Sequence, residues 1–569
     1  MFVKRIICLI AAALMLISAP VSAWEGEEEY NTRKAMSANA EFNMYVLDKP
    51  DNAPYYGARL EPRSGVYFGT IAENTDEFKD FSTVLTYVEF DKQQPDLYYP
   101  ANAMVRNGNY NVMLAWNVTD ADIIRNIDSY TDYIERTVSR FASYGKNIYV
   151  RFAGEMNDME LGTPGEYIYA FRKVADIVHR YDNLATVWCP IGVGSLVKLY
   201  EDYYPGDEYV DWLGISSYQI KYFTGDRDVQ DEIKRVFMTG EYAWQTNSMK
   251  IMAKFMRDYN IQKPVMISES GVANDNIWGD SYTGWSDRRV RNQYWDLIME
   301  YPQVKMINYF NRRMTWEKEF FNLDGHTDLT DIIADATNSG AYIKYNSPAK
   351  GAFTKIGDSA TLVGPNIDVF AHAYNMGEAC EVEYWLGGSV YRTYESPHRA
   401  SVDISSLPDG EHSLGYTFLS NGNVVKEGSY TFKKLGVYAR FGRGNIIEKT
   451  KVNVFLDGRQ ISFDVQPCII ADRTFIPIRL FSNALGISDD NIIYGNGDRS
   501  VSIRRGSDSI LLYADKLRAY VNGADAEIEA PPVITDGRTL VPVRFICESF
   551  GLNVDYSENG DELNVYLTR

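Results

Sequence analysis

The 569-residue sequence predicts a multidomain protein: a (β/α)8 or TIM barrel, then a small Ig-like β-sandwich, then a two-copy α+β repeat module. Three observations support this fold class. Eight short apolar runs alternate with amphipathic stretches between about residues 60 and 345, as is typical of such a barrel. Helical periodicity then gives way to short strands separated by Asp-Gly and Asn-Gly turns. The last segment repeats itself at an offset of 65 residues.

The amino terminus has the composition of a secretory signal. Two basic residues precede an apolar run at 6–17, and small residues at 21–23 suit cleavage. We therefore expect residues 1–23 to be a signal peptide and the protein to be secreted, extracellular or cell-wall associated. Residues 24–55 are polar and acidic and are predicted to form a flexible lead-in.

Charge and cysteine content exclude several classes of function. The net charge of −20 argues against nucleic acid and anionic membranes as partners. No later apolar run is long enough to span a membrane. The four cysteines beyond the signal are far apart, and we expect buried thiols rather than a disulfide framework or a metal site, with no cofactor: Cys189, Cys380, Cys468 and Cys547.

The predicted barrel domain covers residues 56–347. A doubly wound sheet is the alternative, but no glycine-rich phosphate turn follows the first strand. Amphipathic stretches such as EYIYAFRKVADIVHRY lie between the strand candidates. Those candidates are 65–71, 83–90, 111–118, 147–155, 184–191, 210–218, 263–270 and 305–311.

Two further domains are predicted after the barrel. Residues 353–436 carry alternating strands and turn signals and are expected to form the β-sandwich. Residues 445–569 contain the repeat, in which Arg473 corresponds to Arg538 and Arg479 to Arg544 without a gap. Each copy is predicted to be a β-hairpin plus a helix, with the copies either stacked or side by side.

Three acids stand at predicted strand ends of the barrel. Glu89, Glu155 and Glu269 close strands 2, 4 and 7, and the carboxyl ends of the strands form the active face of such barrels. Two carboxylates facing each other across a cleft are the catalytic groups that glycoside hydrolysis requires. The alternative is that each glutamate is solvated or paired with an arginine, since Arg151 is near Glu155 in sequence.

A chain of motifs in this region resembles glycoside hydrolase family 26. RFAGEMND is similar to the family's acid/base segment, YYPGDEYVDWLGISSY to the segment that leads into strand 6, and KPVMISESG to the nucleophile strand. The resemblance implies a retaining endo-β-mannanase-like hydrolase, with Glu155 as acid/base and Glu269 as nucleophile. Tyr218 would hold Glu269 in place and Trp316 would stack under the sugar, whereas taken alone they suit a rim tyrosine and a barrel plug. The substrate-binding residues that the resemblance implies are Arg151, Asn157, Tyr218 and Trp316.

Two departures from the family pattern bear on the substrate. The family usually has His directly before the acid/base, where this chain has Gly154, and aromatic residues soon after Asn157, where this chain has none. β-Mannan is the first expectation for the polysaccharide, with mixed-linkage glucan or xylan as alternatives. Two rival functions stay open: a non-catalytic, glycan-binding surface protein, and a structural envelope protein in which the barrel is a spacer.

The final repeats resemble another family. IADRTFIPIR and ITDGRTLVPVR are similar to the "copper amine oxidase N-terminal-like" repeat of secreted bacterial proteins. Because all five histidines precede residue 440, neither copy offers the imidazole that copper favours, and no metal is predicted. The repeat arginines could bind an anionic cell-wall polymer, or they could form internal salt bridges, which is the interpretation we prefer.

Overall fold

The computed structural model describes most of the chain. Asn157, Trp316, the predicted signal peptide and the first part of the lead-in lie outside the described residues. The described ranges are 40–91, 96–156, 159–190, 202–219, 244–277, 279, 281–313, 319–375, 379–448, 451–495, 497–528, 530–560 and 562–569.

Eight parallel strands close into a barrel, which confirms the predicted TIM fold. The last strand pairs in parallel with the first, so the sheet has no open edge. These barrel strands 1 to 8 are, in order, Val66–Ile71, Thr83–Glu89, Asn111–Asn117, Ile148–Phe152, Leu184–Trp188, Trp212–Gln219, Val265–Val272 and Val304–Tyr309.

Amphipathic helices surround the barrel. The helix Pro164–Val178, after strand 4, begins with a capping box in which Thr163 and Glu166 satisfy each other's backbone N–H groups. Its apolar face is buried against the strands. The other barrel helices are Tyr99–Asn107, Ala121–Arg125, Thr131–Ala142, Trp244–Asp258, Trp285–Arg291, Leu297–Glu300 and Thr327–Thr337.

The amino-terminal end of the barrel is closed by the chain that enters strand 1. The Tyr149 hydroxyl donates to the Leu60 carbonyl at 2.8 Å, and the Trp212 indole N–H donates to the Arg59 carbonyl at 2.8 Å. Because this end is plugged, the opposite end, where the strands terminate, is the one available for a site.

A β-sandwich follows the barrel, and a strand from before the barrel completes it. Glu41–Asp48, which we expected to lie in a flexible lead-in, pairs with Ala352–Lys355 on one side and Asn366–Tyr374 on the other. Phe42, Met44 and Val46 alternate into the sandwich core, and this long-range partnership orders an otherwise polar segment. The first sheet also contains Ala400–Asp403. The second sheet has the strands Ala360–Val363, Tyr438–Phe441, Asn423–Leu435, Gly410–Ser420, Cys380–Leu386 and Ser389–Thr393.

The two repeats lie side by side about a pseudo-twofold axis. Arg473–Pro477 pairs with Arg538–Pro542 in an antiparallel manner, with Ile476 opposite Val541. Those two residues correspond to each other at the offset of 65, so the axis passes between them. A short helix follows each of these strands, Ile478–Ala484 and Val543–Ser549.

The remaining strands of the module form three sheets around this pair. The first sheet adds Ile447–Glu448, Cys468–Ile470 and Val533–Thr535 to the paired strands; the second has Lys451–Leu456, Arg459–Gln460, Asn553–Asn559 and Glu562–Thr568; the third has Ile492–Tyr494, Ser500–Arg505, Asp508–Tyr513, Ala519–Val521 and Ala524–Ala526.

The four cysteines in the described part of the chain are free thiols. Cys189, Cys468 and Cys547 are buried as predicted, but Cys380, on the first residue of a sandwich strand, is only half-buried. No helix in the described part of the chain combines the length and apolar character that crossing a membrane requires.

Candidate active site

Glu155 lies in a tight turn at the carboxyl end of the barrel. Strand 4 ends at Phe152, three residues earlier than predicted, and Ala153 and Glu155 both have left-handed backbones, with φ of 45° and 59°. Left-handed conformations cost free energy for residues other than glycine and gather at functional sites. The Glu155 N–H donates to the Cys189 carbonyl at 2.8 Å, which fixes the turn to strand 5.

Glu269 reaches the barrel interior because strand 7 contains a β-bulge. Both neighbouring strands skip one residue of strand 7, between Ile267 and Glu269 on one side and between Ile267 and Ser270 on the other. Met266 belongs to the interior, so regular alternation would turn Glu269 outward with Ile267. The extra residue, Ser268, reverses that alternation and points the carboxylate into the mouth.

Arg151 joins the two carboxylates. Its side chain is 3% exposed; Nη1 donates to Glu269 Oε1, and Nη2 donates to Glu155 Oε1 at 3.0 Å. One buried guanidinium therefore spans both acids, which confirms that strands 4 and 7 bring them to one mouth. The ion pairing of Glu155 with Arg151, left open by the sequence, is present.

Hydroxyl groups complete the hydrogen bonding around the acids. Ser216 Oγ donates to Glu155 Oε1 at 2.6 Å and accepts from Arg151 Nη2 at 3.1 Å. The Tyr218 hydroxyl donates to Glu269 Oε2 at 2.9 Å, the contact that the family resemblance implied. Ser216 and Tyr218 are two residues apart on strand 6 and therefore share its inner face.

The charges of this cluster are strongly interdependent. Burial raises the pKa of Glu269, and so does the Glu155 charge, while Arg151 and the Tyr218 hydroxyl oppose the rise. Burial and the neighbouring Glu269 charge raise the pKa of Tyr218, and also that of Tyr87 on strand 2, well above the usual tyrosine value. Both phenols are therefore neutral near pH 7 and available as donors.

Gly154 provides the space that the Arg151 guanidinium occupies. A β-carbon added at Gly154 would lie 2.7 Å from Cζ and 3.0 Å from Nη2 of Arg151. A side chain at position 154 and this arginine position therefore exclude each other. The departure from the family pattern is thus coupled to the bridge between the carboxylates.

The structure brings together Arg151, Glu155, Tyr218 and Glu269 among the predicted site residues. Asn157 and Trp316 cannot be placed, because they lie outside the described residues. Glu89 closes strand 2 as predicted, but its side chain is exposed.

Ser216 and Tyr87 were missed in the sequence. Each lies two residues from a residue already singled out, Tyr218 and Glu89 respectively, and this spacing within a strand was the available signal.

Comparison with known families confirms the two resemblances. Residues 160–286 match the model of Glycosyl hydrolase family 26, a range that contains Tyr218 and Glu269 and begins just after Glu155. Residues 455–565 match the model of the Copper amine oxidase N-terminal domain. The fold and these matches define a multidomain protein whose barrel is similar to family 26 glycosyl hydrolases.

Individual relatives include Endoglucanase H of Acetivibrio thermocellus, which is 29% identical over 326 residues. That match covers 54% of this chain and 31% of the relative, so the chain spans about a third of the curated protein it matches.

The solved structures include an endo-β-1,4-mannanase double mutant from Cellulomonas fimi, with 15% identity and a TM-score of 0.35, covering 68% of this chain and 99% of that one. The Bacteroides ovatus family 26 β-mannanase has 14% identity and a TM-score of 0.36, covering 50% and 92%.

Proposed function

We propose that this protein is a secreted retaining glycoside hydrolase that cleaves β-linked polysaccharide. Glu269 is the nucleophile and Glu155 the acid/base. The observation that carries the proposal is the meeting of these two carboxylates, from strands 4 and 7, around one buried arginine at the open end of the barrel.

Retention rather than inversion is what the family resemblance implies, and the bridging arginine is compatible with it. Retaining enzymes hold their two carboxyl groups about 5–5.5 Å apart, whereas inverting enzymes need about 6.5–9.5 Å to admit a water. Contact of a single guanidinium with Oε1 of both glutamates fits the shorter separation.

The proposed reaction has two steps. Glu269 attacks the anomeric carbon while protonated Glu155 gives its proton to the leaving oxygen, which breaks the glycosidic bond and forms a glycosyl-enzyme ester. Glu155, now a carboxylate, takes a proton from water, whose oxygen attacks the anomeric carbon and releases Glu269. Arg151 and Tyr218 oppose the effect of burial on Glu269 and thereby favour its nucleophilic, ionised form.

β-Mannan is the first substrate to test, with mixed-linkage glucan and xylan as alternatives. The family resemblance of the barrel supports this set. The matched relative carries the name endoglucanase, which supports including glucans.

A specific observation favours a second candidate, a non-catalytic glycan-binding barrel. Glu155 Oε1 already accepts from Arg151 at 3.0 Å and from Ser216 at 2.6 Å, so this oxygen is occupied where a proton donor would have to face the leaving group. The glycine at position 154 leaves room for that pairing with Arg151.

Secretion and attachment to the cell wall are part of the proposal. The basic and apolar start of the chain supports secretion. In the repeats, Arg538 pairs with Asp464 at 2.7 Å, in line with an internal salt bridge. Arg479 and Arg544 instead lie 5.2 Å from the ring centres of Tyr494 and Tyr556, respectively, on exposed positions that suit a wall polymer.

The test is reducing-end release from mannan, glucomannan, mixed-linkage glucan and xylan by the wild type, Glu269→Ala and Glu155→Gln. We expect activity on at least one polymer and a loss of at least about 1,000-fold in Glu269→Ala. Binding without release from any polymer would support the second candidate instead.

A further inference from the structure

Trp385 is an exposed tryptophan on the outer face of the sandwich. In its strand, Cys380–Leu386, the side chains of Val382, Tyr384 and Leu386 point into the core. Trp385 points the other way and is 46% exposed. The other tryptophans whose burial is described are all buried: Trp116, Trp188, Trp212, Trp285 and Trp295.

A glycine on the next strand seats the indole flat against the sheet. Gly415 lies directly opposite Trp385. A β-carbon built on Gly415 would lie 2.5, 2.5 and 2.6 Å from Cδ2, Cε2 and Cε3 of the indole. A point that close to three adjacent ring atoms lies above the ring plane. The sheet therefore covers one face of the ring, and the exposed area of the indole lies on the other side.

Polar groups border the indole on the same outer face. Glu383, two residues before Trp385, forms an ion pair with Arg392 on the neighbouring strand and lies opposite Thr417 on the other side. Ser429 lies opposite Gly415, on the strand beyond it in the sheet. This row supplies donors and acceptors beside a flat aromatic surface.

We propose that this surface, the Trp385 platform, binds an uncharged polysaccharide chain. The apolar face of a pyranose ring packs against a flat aromatic ring, and its hydroxyls can donate to a carboxylate and accept from a guanidinium. Glu383 and Arg392 neutralise each other, and the chain carries a net charge of −20, so an anionic polymer is disfavoured. The binding itself does not require hydrolysis; only the idea that the polymer is the barrel's substrate rests on the proposed function.

A glycan suits this face better than a folded protein partner. The centre of a protein interface is depleted of charged residues, and a standard interface buries about 800 Å² on each side. Here the ion pair of Glu383 and Arg392 lies in the row next to the Trp385 ring. An aromatic ring with hydrogen-bonding groups beside it offers a sugar both an apolar surface and polar partners.

The test measures binding to insoluble cellulose, mannan and xylan by depletion of the full-length protein. All variants carry Glu269→Ala, so no polymer is consumed, and the assay remains valid if the barrel proves to have no hydrolytic activity. Trp385→Ala removes the ring. Gly415→Ala keeps the ring but lifts it from the sheet. Tyr259→Ala, at an exposed tyrosine after the helix Trp244–Asp258 and at the opposite end of the barrel from the site, is the matched control.

We expect retention on at least one polymer, weakened at least about tenfold by Trp385→Ala and by Gly415→Ala and unchanged by Tyr259→Ala. Thermal unfolding of each variant shows that the sandwich is folded. Equal binding by folded Trp385→Ala, or no retention on any polymer, overturns the proposal. A change of oligomeric state in Trp385→Ala, without a change in binding, also overturns it and assigns the face to a second copy of the chain.

Discussion

At the scale of single residues, Arg151 holds the two carboxylates of the candidate site in position. Its guanidinium contacts both glutamates from a fully buried position, and hydroxyls from Ser216 and Tyr218 occupy further lone pairs. A charged group is stable there only because its partners are of opposite sign. The arginine therefore positions both carboxylates and opposes the effect of burial on the pKa of Glu269.

Tyr218→Phe tests the hydrogen bond to Glu269. That bond lowers the pKa of Glu269, so its loss raises the pKa. Because the proposed nucleophile must be ionised, the acid limb of the pH profile of kcat/KM is expected to move to higher pH, with a smaller loss near pH 8 than near pH 5. Tyr169→Phe is the control, since that hydroxyl bonds to Asp128 on the helical surface. A uniform loss at all pH values would contradict this role.

Gly154→Ala tests the space that the arginine needs. The added methyl group would meet the guanidinium at 2.7 Å from Cζ. We expect kcat/KM to fall about 10- to 100-fold, because displaced catalytic groups are costly. Gly165→Ala is the matched control, since a β-carbon there meets nothing within 4 Å. If Gly154→Ala retained full activity, the coupling between residue 154 and Arg151 would be wrong.

At the scale of elements, the sequence predicted periodic features well and local irregularities poorly. The eight barrel strands were placed within a few residues, because apolar runs report burial directly. The bulge at Ser268 was not predictable, since SESG has no feature that distinguishes a bulge from regular pleating. The strand Glu41–Asp48 was missed because its partners lie about 300 residues later in the chain.

The same limits apply to the candidate site. The two glutamates were found from their positions near strand ends, although Glu155 lies beyond its strand and Glu269 lies within one. The arginine bridge depends on side-chain packing across the barrel mouth and on the absence of a side chain at Gly154. Neither is visible in a strand pattern.

His372→Asn tests the contact between the sandwich and the barrel. His372 Nδ1 lies 3.1 Å from Asp296 Oδ1 of the barrel, and Nε2 lies 3.8 Å from Glu41 Oε2. Glu41 belongs to the strand Glu41–Asp48, which precedes the barrel and completes the sandwich. Burial opposes the charged form, but Asp296 and Glu41 prevail and raise the pKa of His372 to about 10.

A folded-state pKa above the unfolded value of about 6.5 stabilises the protein fully below pH 6.5, and this stabilisation is lost as the pH rises through about 10. We therefore expect His372→Asn to unfold at a lower temperature than the wild type at pH 6, and the difference to shrink towards pH 10. His412→Asn, on the sandwich surface, is the control. A difference that does not vary with pH would contradict a charged His372.

At the scale of the whole molecule, the chain crosses between domains more than a linear order of domains implies. The strand Glu41–Asp48, which precedes the barrel, pairs with a strand of the sandwich that follows it. The pseudo-twofold pairing of the repeats joins the two copies into one module. A hydrolytic barrel with a sugar platform on the sandwich would hold a polymer at two places on one protein.

The most direct test of the central claim is mass spectrometry of the enzyme after reaction with an activated aryl glycoside in the Glu155→Ala background. The activated leaving group needs no proton donor, whereas release of the glycosyl-enzyme does need the base. We predict an intact protein heavier by one glycosyl unit, with the added mass on the peptide that contains Glu269. Glycosylation of any other residue, or turnover that survives Glu269→Ala, would contradict the account.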